Sequence, residues 1–274
     1  MASINRKVLP GFSLSLSYSV FYLGILVLLP IFACLFRAGS LSFEEFWSAV
    51  WTERARAAYL LTFGAAIVAA VANLFLGLIL AWVLVRYSFP GKKIMDSLVD
   101  LPLALPTAVG GLVYGSLYVE KGWLGQYLVP LGIHGAYSRF AIVLVLIFVG
   151  LPFVVRTVQP VLEDLDAEAE EAGASLGGTR WQTFRNIILP TLYPALITGF
   201  SLAFARGVGE YGSVVFVSGN KPYHTEIAPI LIVARLEEFA YGEATAIAMV
   251  LLVLSFAMLV LINRVERWSM RHEH

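Results

Sequence analysis

Long uninterrupted apolar runs constrain the fold of this chain more than any other feature of its sequence. About 20 apolar residues make a helix that crosses the core of a bilayer, and six stretches of the chain reach or approach that length. Hydrophobic residues make up 59% of the chain and charged residues only 14%, against roughly 25% charged residues in ordinary soluble domains. Because lipid offers no hydrogen-bond partner to the backbone, such runs favour helices. The sequence therefore predicts an all-α polytopic membrane protein.

Six transmembrane helices are predicted, and no Ser/Gly-rich linker or low-complexity stretch separates them. Their ranges are 18–36, 58–85, 98–118, 140–158, 195–217 and 245–262. Residues 1–274 are therefore expected to form a single membrane domain. The first apolar run is longer than that of a signal peptide, so we expect a retained helix rather than cleavage or a lipoprotein site at Cys34.

The distribution of lysine and arginine indicates the orientation of the helices. With the N-terminus inside, eleven basic residues fall inside and seven outside, while Arg206 lies within a predicted helix. The inside set is Arg6, Lys7, Arg86, Lys92, Lys93, Arg156, Arg180, Arg185, Arg264, Arg267 and Arg271, and the outside set is Arg37, Arg54, Arg56, Lys121, Arg139, Lys221 and Arg235. This bias predicts that both termini, and the segment between the fourth and fifth helices, are cytoplasmic.

The third predicted helix is rich in residues that disturb helices. It contains Pro102, Pro106, Gly110, Gly111 and Gly115. Proline removes a backbone hydrogen bond and bends a helix, whereas glycine lets neighbouring backbones approach closely. The pattern fits tight packing through small residues, and it fits an irregular helix that lines a cavity; the two interpretations are compatible.

The segment of about 162–190 has the pattern of a soluble helix–turn–helix. Apolar residues at spacings of 3, 4, 3 and 4 form one helical stripe: Leu162, Leu165, Ala169, Ala172 and Leu176. The other face is acidic, with Glu163, Asp164, Asp166, Glu168, Glu170 and Glu171. Gly177 and Gly178 favour a helix end, Thr179 and Gln182 fit a capping box, and the second helix is predicted to stop at Pro190.

An apolar stripe outside the bilayer needs a surface on which to pack. A solvated helical loop does not supply that surface. A DNA-binding helix–turn–helix is disfavoured because the first helix is acidic and both ends continue into the membrane. A docking element for a cytoplasmic partner therefore fits this segment best.

The same segment resembles the coupling motif of the permease subunits of bacterial ABC importers, which runs Glu-Ala-Ala, three residues, Gly, nine residues, Ile-x-Leu-Pro. The matching positions are Glu171, Ala172, Gly173, Gly177, Ile187, Leu189 and Pro190. Gly173 departs from the alanine that is usual in the family. The resemblance implies that these residues dock into an ATPase subunit and transmit its closure to the membrane helices.

Nothing in the sequence points to ATP binding or catalysis by this chain itself. It has no G-x-x-x-x-G-K-[ST] phosphate loop, since Arg86 stands where the stretch 89–93 would need its upstream glycine. His134, His224, His272 and His274 have no metal-ligand spacing. We expect no cofactor, metal or catalytic residue here, with ATP and Mg²⁺ held by a partner ATPase.

Two charged residues in the fifth predicted helix are candidates for the transport pathway. Arg206 and Glu210 lie at positions i and i+4, and charges within a membrane usually face a cavity or each other. The pair is either a neutralising contact that fixes this helix or part of the pathway or its external gate, where Pro102 and Pro106 are further candidates. Because Glu210 cancels most of the field of Arg206, the pair does not identify the substrate.

The segment that contains this pair, "ARGVGEYGS…GN", and the proline-rich third helix resemble the sulfate and molybdate group of these permeases. The stretches "TEIAPILIVARLEEFAYGEATAIAMVLL" and "KVLPGFSLSLSYS" are similar to the T-type permease of the sulfate/thiosulfate branch. That resemblance implies a bacterial inner-membrane location and four kinds of partner: a related W-type permease, two ATPase subunits, a sulfate-binding protein and membrane lipid, without nucleic acid. The alternatives are a permease for molybdate or another oxyanion, and an ion-coupled secondary transporter.

Overall fold

The computed structural model describes residues 12–270 of the chain, and all the regular structure in this range is helical. We number thirteen helices within it. They are α1 (Phe12–Gly39), α2 (Phe43–Val50), α3 (Glu53–Arg86), α4 (Lys92–Val99), α5 (Leu101–Ala104), α6 (Thr107–Tyr118), α7 (Gly125–Leu128), α8 (Arg139–Glu163), α9 (Ala167–Ser175), α10 (Arg180–Val208), α11 (Val214–Val217), α12 (Ala228–Glu237) and α13 (Tyr241–Met270). The predictions that concern Arg6, Lys7, Arg271, His272 and His274 lie outside the described residues.

Five helices in the described range are long and apolar enough to cross a membrane. They are α1, α3, α8, α10 and α13, and they contain or overlap five of the six predicted transmembrane helices. The third predicted transmembrane helix, a single helix over 98–118, is wrong. The chain forms the end of α4 and the separate helices α5 and α6 there instead. Leu105 is extended (φ −80°, ψ 137°) between α5 and α6, as expected for a residue that precedes a proline.

The fifth predicted helix is also corrected at both of its ends. The sequence predicts a helix over 195–217, but α10 begins at Arg180 and ends at Val208. The second helix of the helix–turn–helix therefore does not stop at Pro190; it continues through this residue to Val208 as one of the long apolar helices. Pro190 follows a π-helical segment, Phe184–Ile188, in which the hydrogen-bond ladder is already shifted by one residue. Prolines and π-helical turns are both places where a helix departs from its regular ladder, and here the two adjoin without ending the helix.

The core of the molecule is a bundle of α3, α8 and α10. Small residues line α3 where it meets the other two helices, and Ala66, Ala70 and Ala81 are almost completely buried. A Cβ atom at Gly77 would lie 2.7 Å from Val154 Cγ1 on α8, so only glycine allows this approach without a shift. Close contact through small side chains is how helices associate in lipid, where no hydrophobic force drives them together.

The two ends of the bundle are tied by ion pairs. At the start of α3, Arg54 donates two hydrogen bonds to the buried carboxylate of Glu226, at 2.8 and 2.7 Å. At the other end of α3, Arg86 pairs with Glu170 of α9. A 34-residue helix is roughly 50 Å long, so α3 alone separates the Glu226 end from the helix–turn–helix end.

Candidate functional site

The turn between α9 and α10 has the geometry that its two glycines predict. Gly177 takes the left-handed conformation (φ 81°), its N–H donates to the Ala174 carbonyl, and the Gly178 N–H donates to the Gly173 carbonyl, both at 3.0 Å. This pair of bonds is the Schellman motif, which satisfies carbonyl groups at a helix end. The predicted end of the first helix at the glycine pair is therefore confirmed.

The capping box at the start of α10 is confirmed as well. The Thr179 hydroxyl accepts a hydrogen bond from the Gln182 N–H at 3.3 Å, and the Gln182 side chain accepts one from the Thr179 N–H at 2.8 Å. The two N–H groups would otherwise be unpaired at the helix start. The chain thus leaves α9 and enters α10 through a turn that is fixed on both sides.

The predicted apolar stripe does not run down a single helix. α8 ends at Glu163 and α9 begins at Ala167, so the stripe is divided between two helices by residues 164–166. Leu162 is 1% exposed in the core of the bundle, whereas Leu176 is 89% exposed. The first part of the stripe therefore packs inside this chain, and only the second part is free to meet another protein.

The exposed part of the helix–turn–helix combines acidic and apolar groups. Glu171 and Ala172 are exposed on α9, Leu176 is exposed just beyond its end, and Trp181 is 65% exposed at the start of α10. Between the two helices lies a groove of about 310 Å³, lined by Gly173, Leu176, Gly177, Gly178, Gln182, Thr183, Asn186 and Ile187. An exposed tryptophan and leucine beside a groove are typical of a protein-binding surface.

Gly173 has a packing role that its helical position does not suggest. A Cβ atom at this residue would lie 2.9 Å from Ile187 Cδ1, across the groove. Glycine thus lets Ile187 pack directly on the backbone of α9. Because Cδ1 is the end of a flexible side chain, an alanine here would require only a small shift.

Contacts that the sequence did not reveal join the helix–turn–helix to the bundle. Arg86 pairs with Glu170, and its guanidinium lies 5.4 Å from the centre of the Trp82 ring. The edge of the Trp82 ring meets Phe184 of α10, with the ring centres 5.6 Å apart. Glu170 and Arg86 are 84 residues apart in the sequence, so no local pattern could have paired them. A movement of α9 would therefore displace the partner of Arg86 at the end of α3.

A second cluster of charged and polar contacts, which the sequence did not predict either, lies at the same end of the bundle. Arg156 of α8 donates hydrogen bonds to both carboxylate oxygens of Asp100, at 2.8 and 2.6 Å. It also donates to the Asp96 carboxylate at 2.7 Å and to the Gln159 side chain at 2.7 Å. The bonds from Arg156 lower the pKa of the Asp100 carboxyl below its usual value.

The pair of Arg206 and Glu210 forms, although the two residues do not share a helix. Arg206 lies in the last turn of α10, and Glu210 lies beyond its end at Val208. Arg206 Nη1 is 2.5 Å from Glu210 Oε2, and Glu210 is 1% exposed. Its other oxygen accepts hydrogen bonds from the Ser213 N–H at 2.8 Å and the Ser213 hydroxyl at 2.7 Å. The carboxylate therefore organises the turn after α10.

The proline- and glycine-rich stretch packs directly on that turn. A Cβ atom at Gly111 would overlap the Ser213 backbone, and one at Gly212 would overlap Thr107 Oγ1. Of the two prolines, Pro102 is buried in α5 and Pro106 is exposed at the break before α6. The packing interpretation is confirmed for Gly111, and the helix is irregular as well. A role in the pathway for Arg206, Glu210, Pro102 or Pro106 stays a prediction.

The remaining candidate groups that the structure describes, His134 and His224, do not form a reactive centre. His134 and His224 lie in loops near the start of α8, where Arg139 Nε donates to the His224 carbonyl at 2.8 Å. Among the side chains that the structure describes, no group of three or more His, Cys, Asp or Glu could hold a metal ion.

Comparison with protein families identifies the class to which this architecture belongs. Residues 73–271 match the family described as the binding-protein-dependent transport system inner membrane component. Since this match spans most of the chain, the chain belongs to that family. It is a multi-pass inner-membrane transport subunit and not an enzyme.

Individual relatives within the class carry a more specific name. The chain is 47% identical over 93% of its length to the sulfate transport system permease protein CysT of Synechocystis sp. (strain ATCC 27184 / PCC 6803 / Kazusa), covering 89% of that protein. It is 45% identical to the CysT protein of Salmonella typhimurium, with 97% and 96% of the two chains covered. For Escherichia coli CysT the identity is 44%, with coverage of 96% and 95%.

Solved structures support the fold. A chain in the crystal structure of a bacterial ABC transporter that imports the acidic polysaccharide alginate superposes with a TM-score of 0.77, at 14% identity, covering 93% of this chain and 94% of that one. A second alginate transporter structure, in complex with its pentasaccharide-bound periplasmic protein, gives the same TM-score at 18% identity. At these identities the likeness shows the shared fold and does not identify a substrate.

Proposed function

We propose that this chain is the membrane-spanning permease subunit of an ATP-driven importer for sulfate and thiosulfate. The observation that carries the proposal is the 44–47% identity to sulfate transport permeases over more than nine tenths of the chain. A permease for molybdate or another oxyanion is the main alternative, since molybdate is also a tetrahedral dianion. An ion-coupled secondary transporter is disfavoured by the family to which the chain belongs.

The proposed topology has six crossings, with both termini in the cytoplasm. Five crossings are made by α1, α3, α8, α10 and α13, and the third is made by the broken stretch that centres on α6. Packing of Gly111 on the turn after α10 supports the placement of α6 among the membrane helices. On this topology, the helix–turn–helix and the ends of α3 and α8 face the cytoplasm.

The helix–turn–helix is proposed as the coupling element. Its residues Glu171, Ala172, Gly173 and Gly177 would meet the groove of a partner ATPase, while Leu189 and Pro190 lie where α10 leaves this element and continues towards the membrane. Two features support this role: exposed Leu176 and Trp181 outside the apolar part of the bundle, and the Arg86–Glu170 pair that joins α9 to α3. ATP and Mg²⁺ would be bound by that partner.

Transport of a dianion sets the physical requirement for the rest of the complex. Leaving water for hydrocarbon costs an ion tens of kcal/mol, so sulfate needs a polar cavity that opens to one side at a time. We propose that this chain forms the cavity with a related W-type permease. A sulfate-binding protein would deliver the ion, and ATP binding by two ATPase subunits would open the cavity outward through the coupling elements. This chain would contribute no covalent chemistry.

Labelled sulfate uptake tests the substrate. In cells that lack this gene, we expect its return to restore uptake, with unlabelled thiosulfate competing strongly and molybdate weakly. Equal competition by molybdate would indicate a broader oxyanion system. If uptake is absent although the chain is in the membrane beside its ATPase, the proposed substrate is wrong.

Charge reversal at Glu171 tests the coupling role. Glu171 is exposed on α9, so Glu171→Arg should leave the fold intact but reverse a charge at the docking surface. We expect loss of ATPase association or of sulfate uptake. The matched control is Glu44→Arg, because Glu44 is an exposed glutamate of α2 at the opposite end of the molecule. Normal association and normal uptake in Glu171→Arg would contradict the assignment.

A further inference from the structure

The short helix α4 lies beside the membrane bundle with an apolar side that no other part of the described chain covers. We propose that α4 lies on the surface of the bilayer at the helix–turn–helix end and binds anionic phospholipid, with Ile94 and Leu98 in the acyl region and Lys93 at the phosphate groups. The proposal needs only that the chain spans a membrane. It does not depend on the substrate or on the ATPase.

One side of α4 is held by the protein. Val99 is 5% exposed in the core cluster. Arg156 of α8 binds the Asp96 carboxylate and carbonyl, at 2.7 and 2.9 Å, and it binds Asp100 just beyond the helix end through two further bonds. With three anchoring positions over five residues, α4 cannot rotate about its axis without breaking these bonds. Its other sides are therefore presented in a fixed direction.

The remaining surface divides into an apolar and a polar side. At 100° per residue, Ile94 and Leu98 lie 40° apart, and they are 68% and 57% exposed. Lys93 and Ser97 are also exposed and also lie 40° apart. Their side of the helix is turned about 100° from the side of Ile94 and Leu98. Exposed apolar residues continue into α5, where Leu101 is 39% and Leu103 is 56% exposed. A helix with these sides fits an interface between lipid and water.

The position of α4 along the chain brings it to the bilayer surface. Only residues 87–91 separate it from the end of α3 at Arg86. Gly91, with φ 87°, turns the chain into the new helix. Tyr87 is 57% exposed in this connection, and tyrosine is enriched at the depth of lipid headgroups. Lys93 is exposed, whereas Lys92 is half-buried at the start of the helix, on the side of Val99. The charge of Lys93 complements the negative charge of phosphatidylglycerol-type lipids, which attract basic residues beside a membrane helix.

Probe depth distinguishes lipid from a protein partner. The experiment uses the full-length chain with Cys34→Ser, in vesicles of phosphatidylglycerol and phosphatidylcholine. A nitroxide label is attached at Ile94→Cys or, as the matched control, at Ser97→Cys. We expect the probe at 94 to collide with oxygen at least threefold more than with a water-soluble nickel chelate, and the probe at 97 to show the reverse. A probe at 94 that is open to nickel, or shielded from both reagents by protein, would overturn the proposal.

The lysines test the lipid class. The full-length chain would be purified in detergent and incubated with equal amounts of phosphatidylglycerol and phosphatidylcholine. Native mass spectrometry would then count the lipid molecules of each kind that remain bound. We expect Lys92→Gln/Lys93→Gln to lower the preference for phosphatidylglycerol by at least about fivefold, the effect expected for the exposed Lys93 alone. The control, Lys121→Gln/Lys221→Gln, changes exposed lysines at the other end of the molecule and should have little effect. An unchanged preference in the first variant would refute anionic-lipid binding by α4.

Discussion

Glu210 shows what a single buried carboxylate can do at the end of a membrane helix. It is 1% exposed and accepts bonds from Arg206 and from two groups of Ser213. We predict that Arg206→Ala destabilises the chain by roughly 3 kcal/mol, because it leaves this buried charge without its partner. Thermal unfolding of the purified chain in detergent would measure the loss, alongside sulfate uptake.

The double variant separates a structural pair from a pathway residue. Arg206→Ala/Glu210→Ala removes both charges, so we expect it to recover much of the stability that Arg206→Ala loses. Recovery of full uptake as well would show that the pair only fixes the turn after α10. Stable protein that no longer transports would instead place the pair in the pathway or its gate.

At the scale of elements, the turn between α9 and α10 depends on one left-handed residue. An alanine at Gly177 would have to adopt φ 81°, which costs an L-residue about 1–2 kcal/mol. Because α9 has only nine residues and little stability of its own, we predict that Gly177→Ala weakens ATPase association several-fold. Co-purification of the complex would measure this, at an unchanged amount of chain in the membrane.

A second glycine provides the control for that experiment. Gly64 lies inside α3, and a Cβ atom there would meet nothing within 4 Å. Gly64→Ala should therefore be neutral or slightly stabilising. If Gly177→Ala behaves like Gly64→Ala, the geometry of the turn is not needed for coupling.

At the scale of the whole molecule, the topology can be tested from the two ends of the third crossing. Lys93 precedes the broken stretch and Lys121 follows it, and both are exposed. In a Cys34→Ser background, we predict that a membrane-impermeant thiol reagent labels Lys121→Cys in intact cells. It should label Lys93→Cys and Glu171→Cys only after the cells are opened. Labelling of Lys93→Cys and Lys121→Cys from the same side would mean that α6 does not complete a crossing.

Local chemistry was enough to predict several elements of this protein. The apolar runs predicted the five long helices, since their length and composition leave no other way to satisfy a backbone in lipid. Gly177 and the Thr179–Gln182 pair predicted the turn, because the left-handed conformation and the capping bonds involve only neighbouring residues. The resemblance of 171–190 to a coupling motif, together with the stretches similar to sulfate permeases, pointed to the family.

Tertiary structure decided where helices break and which distant residues meet. Pro152 and Pro160 lie inside α8 and Pro194 inside α10, yet the chain breaks before Pro106. A proline alone therefore does not determine a break; the outcome depends on contacts, such as that of Gly111 with the Ser213 backbone. The division of the stripe after Leu162, and the pairs of Arg86 with Glu170 and of Arg156 with Asp100, depend on packing between helices far apart in the sequence. Such contacts leave no periodic signal along the chain, because each is made only once the bundle has formed.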